Sequence, residues 1–238
     1  MRICAQGLWH LGPVTAGCMA SMGHDVTGLD FDQQSVDKLC KAMAPVSEPG
    51  LDELIRTGSD AGNLRFTSQV DAGVSDARVL WVTYDTPVDE NDQADVDFVF
   101  EEVTKVLPFL ASDTIVLVSA QLPVGSIRRF ENIAAAKCPE KHLHFACSPE
   151  NLRLGHALKV FLHPERVVIG TRHQEDREIL GRLFEGITDN ILWMGVESAE
   201  MTKHAINSFL GVSITFINEI ASICENIGAD AGEVEMGL

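Results

Sequence analysis

The first residues that suggest chemistry lie near the N-terminus. Arg2-Ile3-Cys4-Ala5 runs directly into Gly7-Leu8-Trp9-His10-Leu11-Gly12, and Asp30 stands at the end of the next strand-like run. A strand, a glycine turn, a helix and an acid closing the second strand are the parts of a dinucleotide fingerprint. In it the first glycine makes the tight turn and the second lets backbone approach a pyrophosphate. The third lets helix pack on strand, and the acid holds the ribose hydroxyls. Gly7 and Gly12 match the first and third positions, Trp9 occupies the second, and His10 and Leu11 lie between. An ordinary strand-to-helix turn that binds nothing has the same outline, and this stretch alone does not separate the two. Asp30 favours NAD over NADP, because a carboxylate accepts hydrogen bonds from a free 2′-hydroxyl and repels a 2′-phosphate. Gly28, just before it, reads as a packing residue.

Three further segments carry polar groups just after strand-like runs: Thr83-Tyr84-Asp85-Thr86-Pro87, Gln121-Leu122-Pro123-Val124-Gly125 and Ser148-Pro149-Glu150-Asn151-Leu152-Arg153. Singly, Pro and Gly at a strand end are turn chemistry. Together on the carboxyl edge of a sheet, where open α/β folds bind ligands, they form a candidate site, with Glu150 as a carboxylate able to act as a base. Farther on, Glu200, Lys203 and Asn207 share one face of a helix. They read either as a solvated stripe with a Glu200–Lys203 ion pair or as an ammonium and an amide aimed at one oxygen, an arrangement that stabilises an alkoxide.

The elements that must position these residues alternate, short apolar runs with longer segments of helical period, as in βαβ units. Strands are expected near Arg2 to Ala5, Asp25 to Leu29, Leu64 to Thr67, Arg78 to Thr83, Thr114 to Ser119, Leu143 to Cys147, Arg166 to Gly170 and Asn190 to Met194. Among the helices are Gln33 to Met43, Val96 to Leu110 and Glu175 to Phe184. From Glu197 to about Gly228 there is no Pro, and Ala205, Phe209, Val212, Phe216, Ile220 and Ile223 keep a helical spacing. A helix of that length bridges domains or pairs with a copy of itself. The expected organisation is a domain at 1–196 followed by a long connecting helix at 197–238. The fold class is α/β, a Rossmann-like, doubly wound, mostly parallel sheet, with the helix opening a truncated central domain.

Composition narrows the function classes. Eighteen Lys and Arg against thirty-five Asp and Glu leave a net charge of -17, which argues against nucleic acid and anionic membranes as partners. The six cysteines show no C-x-x-C pair and no metal-ligand spacing, so a reducing cytoplasm is expected and no metal. Thr15-Ala16-Gly17-Cys18 loosely follows a lipoprotein cleavage site, but Gln6, His10 and Pro13 interrupt the apolar segment before it. No apolar run is read as approaching the roughly 20 residues that span a bilayer.

Taken in order, the chain resembles the UDP-glucose/GDP-mannose dehydrogenase family. The marks are the fingerprint region with Asp30, Glu48-Pro49-Gly50, Thr86-Pro87, Pro123-Val124-Gly125, Ser148-Pro149-Glu150, the run from His163 to Gly170, Glu200-x-x-Lys203 and Phe216-Ile217-Asn218-Glu219. They extend over the whole chain and correspond to roughly the N-terminal half of a member. The resemblance implies oxidation of the C6 alcohol of a UDP- or GDP-sugar to the uronate by two NAD-dependent hydride transfers. It matches Lys203 and Asn207 to the pair that polarises the reacting oxygen, and Glu150 to the carboxylate that activates water. Gly7, Trp9, His10, Leu11, Gly12, Asp30, Thr86, Pro87, Gln121 and Leu154 fall on the cofactor side, and Leu152 and Arg153 on the substrate side. Asn218 matches a position read as structural.

The chain also departs from the family pattern. Trp9 replaces the second fingerprint glycine, Gln121 a Thr, Asn151 a Phe and Leu154 a Glu. The nucleophilic cysteine and the nucleotide-sugar domain would lie beyond Leu238, and Cys147 reads as a buried strand residue. The resemblance also implies a homodimer built around the long helix. Two other readings stand beside this one: a dinucleotide-binding or regulatory module without oxidoreductase activity, and a dehydrogenase of the 3-hydroxyisobutyrate or 6-phosphogluconate type.

Overall fold

Alternation along the strands decides the architecture. Ile3 and Ala5 face one buried cluster while Cys4 between them faces another, and the same split separates Val79 and Trp81 from Leu80 and Val82. Both faces of the sheet are therefore covered, which is why its strands read as continuous apolar runs. The computed structural model describes residues 1–91, 93–150 and 152–238; Asn151, singled out above, lies outside them.

The described strands are β1 (Arg2–Gln6), β2 (Asp25–Leu29), β3 (Leu64–Thr67), β4 (Val79–Val82), β5 (Ile115–Val118), β6 (His144–Cys147), β7 (Val167–Thr171) and β8 (Ile191–Met194). The helices are α1 (Leu11–Ser21), α2 (Gln33–Leu39), α3 (Leu51–Ala61), α4 (Val70–Val74), α5 (Val96–Val106), α6 (Ser126–Lys137), α7 (Ala157–Leu162), α8 (Gln174–Leu183), α9 (Val196–Ile227) and α10 (Ala231–Met236). The strands form one sheet in the order β3-β2-β1-β4-β5-β6-β7-β8. All neighbours are parallel except β6 and β7. This is the expected doubly wound, mostly parallel sheet. Residues of α1, α3, α7 and α8 fill one face, and residues of α4, α5, α6 and the start of α9 the other.

The order reverses at β1, which pairs with β2 on one side and β4 on the other. Such a switch point opens a crevice at the carboxyl ends of the strands. The loops after β1, β4, β5 and β6 all leave from that edge.

Two helix ends differ from expectation. The α2 helix stops at Leu39 rather than Met43, because Ala42 turns left-handed at φ 53° and Met43 N–H returns to Lys38 O at 3.0 Å. Pro45 follows, and the chain cannot continue the helix through it. The span to Leu110 breaks into α5 and a 3₁₀ turn at Leu107–Phe109, since Pro108 supplies no N–H for an α-helical bond. Gly28 is a packing residue as read: a Cβ there would lie 2.5 Å from the Phe66 ring. Cys18 is fully buried in α1, within the hydrophobic core.

The chain divides into two compact units, Met1–Glu200 and Met201–Leu238. In contrast to the expectation above, α9 contains an 18-residue stretch long and apolar enough to cross a membrane. The charged residues Glu197, Glu200 and Lys203 sit toward one end of the helix and Glu219 and Glu225 toward the other, which leaves the middle uncharged. Two hydroxyls there bond within the helix, Ser213 Oγ to Phe209 O at 2.8 Å and Thr215 Oγ1 to Gly211 O at 3.0 Å.

Candidate functional site

The turn between β1 and α1 is built as its glycines require. Gly7 has φ +95°, and a Cβ on it would lie 2.7 Å from the Tyr84 ring and 2.9 Å from Tyr84 N. A Cβ on Gly12 would lie 1.9 Å from Gly7 O, so helix packs on strand only because that side chain is missing. Trp9, by contrast, is not among the residues with positive φ and is 59% exposed. Its backbone does not demand glycine.

Asp30 closes β2 facing this turn. Its Oδ2 accepts from Leu8 N at 2.7 Å and its Oδ1 from Asp32 N at 2.9 Å. Each oxygen keeps a lone pair for a further donor such as a ribose hydroxyl. Directly across the switch point, Asp85 Oδ2 accepts the His10 N–H at 3.2 Å, the donor at the mouth of α1. A helix N-terminus attracts anions, and here a carboxylate of the chain itself is the anion in place. The His10 side chain turns the other way: its Nε2 lies 2.9 Å from Glu48 Oε1. Glu48 also accepts from Gly155 N at 2.8 Å and Ala157 N at 3.3 Å. Burial pushes the Glu48 carboxyl up, but His10 and these two N–H groups outweigh it and hold the group below the usual carboxylate range.

The next loops interlock along the same edge. Thr86 Oγ1 donates to Gln121 O at 2.8 Å, tying the segment after β4 to the segment after β5. Ser119 Oγ donates to Ser148 O at 2.6 Å and accepts from Trp81 Nε1 at 2.9 Å, which carries the tie on to β6. Pro87 and Gln121 are exposed. Glu150 is half-buried, and its Oε2 accepts from Leu152 N at 2.5 Å. Leu152 is half-buried, whereas Arg153 and Leu154 are exposed, Leu154 by 69%. The edge therefore gathers Gly7, Trp9, His10, Leu11, Gly12, Asp30, Thr86, Pro87, Gln121, Glu150, Leu152, Arg153 and Leu154 on the loops around one switch point.

Lys203 and Asn207 lie one turn apart on α9, within the second unit. Glu200, grouped with them by spacing, belongs to the first unit and does something the spacing did not indicate. It is buried, and its carboxylate accepts from Gly125 N and Ile127 N, each at 2.8 Å, capping α6. Cys147 is 7% exposed at the end of β6, and burial pushes its thiol up to about 12, with the nearby Glu200 adding to the effect. That is an inert strand cysteine, as read.

Sequence reasoning placed Asp85 in a candidate segment but gave neither it nor Glu48 a role of its own. Glu48 stands in the quoted Glu48-Pro49-Gly50 segment, but its partners lie at His10 and at 155–157, and no local pattern links such distant positions. Asp85 had a usable signal, an acid between a buried Tyr and the Thr-Pro turn at a strand end beside the switch point.

The arrangement as a whole fits a dinucleotide: a glycine turn, a helix N-terminus and an acid ending the second strand. Trp9 and Asp85 stand at the end of that turn where the second fingerprint glycine and a bound anion would be expected. Comparison with known proteins agrees. Residues 1–188 match the sequence model of the UDP-glucose/GDP-mannose dehydrogenase family, NAD binding domain, and residues 197–238 match that of its central domain. The chain is 34% identical over 245 residues to a UDP-glucose 6-dehydrogenase of Pseudomonas aeruginosa and 32% identical over 239 residues to one of Bacillus subtilis. Each alignment covers 100% of this chain and 54% of the relative, so the chain spans about half the length of the curated relatives it matches. Among solved structures it is similar to a GDP-mannose dehydrogenase from Pseudomonas aeruginosa, crystallised as a ternary complex. The TM-score is 0.91 at 28% identity, covering 99% of this chain and 56% of that one.

Proposed function

The chain belongs to the UDP-glucose/GDP-mannose dehydrogenase family, and from that premise we propose that it is the NAD-binding part of a nucleotide-sugar 6-dehydrogenase. The reaction is oxidation of the C6 alcohol of a UDP- or GDP-sugar to the uronate. The observation that carries this reading is the acid-closed glycine turn at the switch point, on the same edge as the Glu150 loop. NAD, when bound, supplies the hydride acceptor. Asp30 would hold the adenosine ribose and the α1 N-terminus the pyrophosphate, with Thr86, Pro87, Gln121 and Leu154 on the cofactor side of the same sheet edge.

The chain's own chemistry concerns protons and developing charge. An alcohol that loses hydride must also shed its hydroxyl proton, and charge builds on its oxygen as it does so. Lys203 and Asn207 present a cation and an amide donor for that oxygen. Glu150 serves the hydrolytic step, taking a proton from water as the second oxidation resolves to the acid. Leu152 and Arg153 contact the sugar nucleotide. The division at 196/197 is part of this reading and is supported by the compact units Met1–Glu200 and Met201–Leu238. A cytoplasmic location and a homodimer through α9 complete the reading.

The test follows NADH absorbance over a panel of UDP- and GDP-sugars, using the protein that carries this chain. Two NADH per uronate are expected with one class of sugar. Lys203→Ala should lower kcat by about 100-fold or more, the scale of a lost oxyanion donor. A second reading, a dinucleotide-binding module without oxidoreductase chemistry, draws on Trp9 and Asp85 at that end of the turn; NAD binding with no sugar oxidised across the whole panel would favour it.

A further inference from the structure

Outside the fingerprint itself, Glu48 is a fully buried ionisable side chain near the site with three hydrogen-bond partners. Its side chain has no solvent exposure, and that of His10 retains 15%. One carboxylate oxygen takes both the His10 ring nitrogen at 2.9 Å and Gly155 N at 2.8 Å; the other takes Ala157 N at 3.3 Å. The first contact belongs to the residue just before α1, whose own N–H lies at the mouth of that helix. The other two belong to the end of the loop that begins at Glu150. That loop is braced at its start by Leu152 N on the Glu150 carboxylate, at 2.5 Å, and at its end by Glu48. Close packing accompanies these bonds: a Cβ on Gly50, two residues after Glu48, would lie 3.5 Å from Leu158 on α7.

A buried carboxylate is costly unless its lone pairs are filled, so the three donors are held as firmly as they hold it. We propose that Glu48 and His10 act as a positioning pair that fixes the fingerprint turn relative to the Glu150 loop and so preorganises the NAD site. The proposal rests on the NAD reading above. Neither side chain needs to touch the cofactor. Their effect passes through the His10 backbone on one side and through residues 152–157 on the other. When the pair is broken, the two walls of the site move independently, and binding must then order them at a cost in affinity.

The experiment is NAD titration calorimetry on the 238-residue chain, with melting curves run beside it. His10→Phe keeps a ring and loses the bond; His10→Gln keeps a donor at the Nε2 position; Glu48→Gln keeps the shape and loses the charge. His10→Phe and Glu48→Gln should each weaken NAD by about tenfold, and the double variant no more than the weaker single one, as expected for residues acting as one unit. His10→Gln should restore affinity to within about twofold of the parent. Unchanged affinity in His10→Phe, even with a lowered Tm, would reduce the pair to a structural tie and overturn the proposal. So would independent, multiplying losses. Should Glu48→Gln fail to fold, the two His10 variants carry the test alone. A parent chain that does not bind NAD overturns the underlying reading instead, and the proposal with it.

Discussion

Single residues around the β1–α1 turn separate what glycine does for backbone from what it does for space. Gly7 is needed for both, with its φ of +95° and the Tyr84 ring 2.7 Å from where a Cβ would be. Gly7→Ala should therefore lower stability by about 2 kcal/mol or more, from left-handed strain plus overpacking, as chemical denaturation would register. Trp9 carries no such backbone demand, which explains how the fingerprint can lose its second glycine and keep its fold. At Asp85 the expected effect is on binding. Its carboxylate accepts from His10 N at 3.2 Å, in a place an anionic cofactor would use. An anion at a helix N-terminus gains about 0.3–1 kcal/mol, so Asp85→Asn should tighten NAD roughly two- to fivefold, more at low salt. Weaker binding in that variant would make Asp85 a support of the loop rather than a competitor. At this scale the sequence was legible where a residue's role is local. Gly7, Gly12 and Asp30 follow from their places on consecutive elements. The roles of Glu48 and Glu200 depend on partners far away along the chain and leave no spacing to read.

Between elements, the helix ends on the carboxyl edge are held by acids from elsewhere in the chain. Glu200, at the start of α9, caps α6, and Glu48 caps α7. Glu200→Ala should cost about 1–3 kcal/mol, because it leaves the N–H groups of Gly125 and Ile127 without their acceptor in a buried place. Denaturant melts would show a loss this large as a lower midpoint at unchanged slope. A second tie at the start of α9 depends on pH. Glu197 meets Arg172 at 2.8 Å and Arg128 at 3.3 Å. The Arg172 hydrogen bond first, then its own backbone N–H and Arg128, hold its carboxyl at about 2, against 4.5 ordinarily. A carboxylate depressed in the folded state stabilises fully above its unfolded value, and the contribution fades as pH falls from about 4.5 toward about 2. Glu197 is 46% exposed in its side chain, so salt weakens the effect. Glu197→Gln should flatten the fall in Tm over that pH window; an unchanged slope would remove Glu197 from the account. All eight strands stood near their expected places because period and burial agree within each. Helix ends were less legible, as at Leu39 and Val106, where one left-handed Ala and one Pro decide the outcome.

At the scale of the molecule, the second unit carries exposed apolar side chains, among them Phe209 at 76% exposure and Phe216 at 52%. Exposed apolar surface of this kind marks an interaction face, and the proposed dimer through α9 accounts for it. Light scattering should give about twice the chain mass for a C2 dimer, and Phe216→Asp should shift the protein toward monomer. A parent chain that runs as monomer would contradict the dimer. The sheet and its switch point were legible from alternation and order alone. The α9 helix was legible in extent but not in its uncharged middle, because Ser208, Ser213 and Thr215 interrupt the apolar run there while their hydroxyls leave it uncharged. What joins the scales is the proposed cofactor site, closed by Asp30. Calorimetric titration of the 238-residue chain with NAD and with NADP tests it most directly: NAD should bind at least about tenfold more tightly, since the 2′-phosphate would meet a carboxylate. Equal affinity, or a preference for NADP, would contradict it.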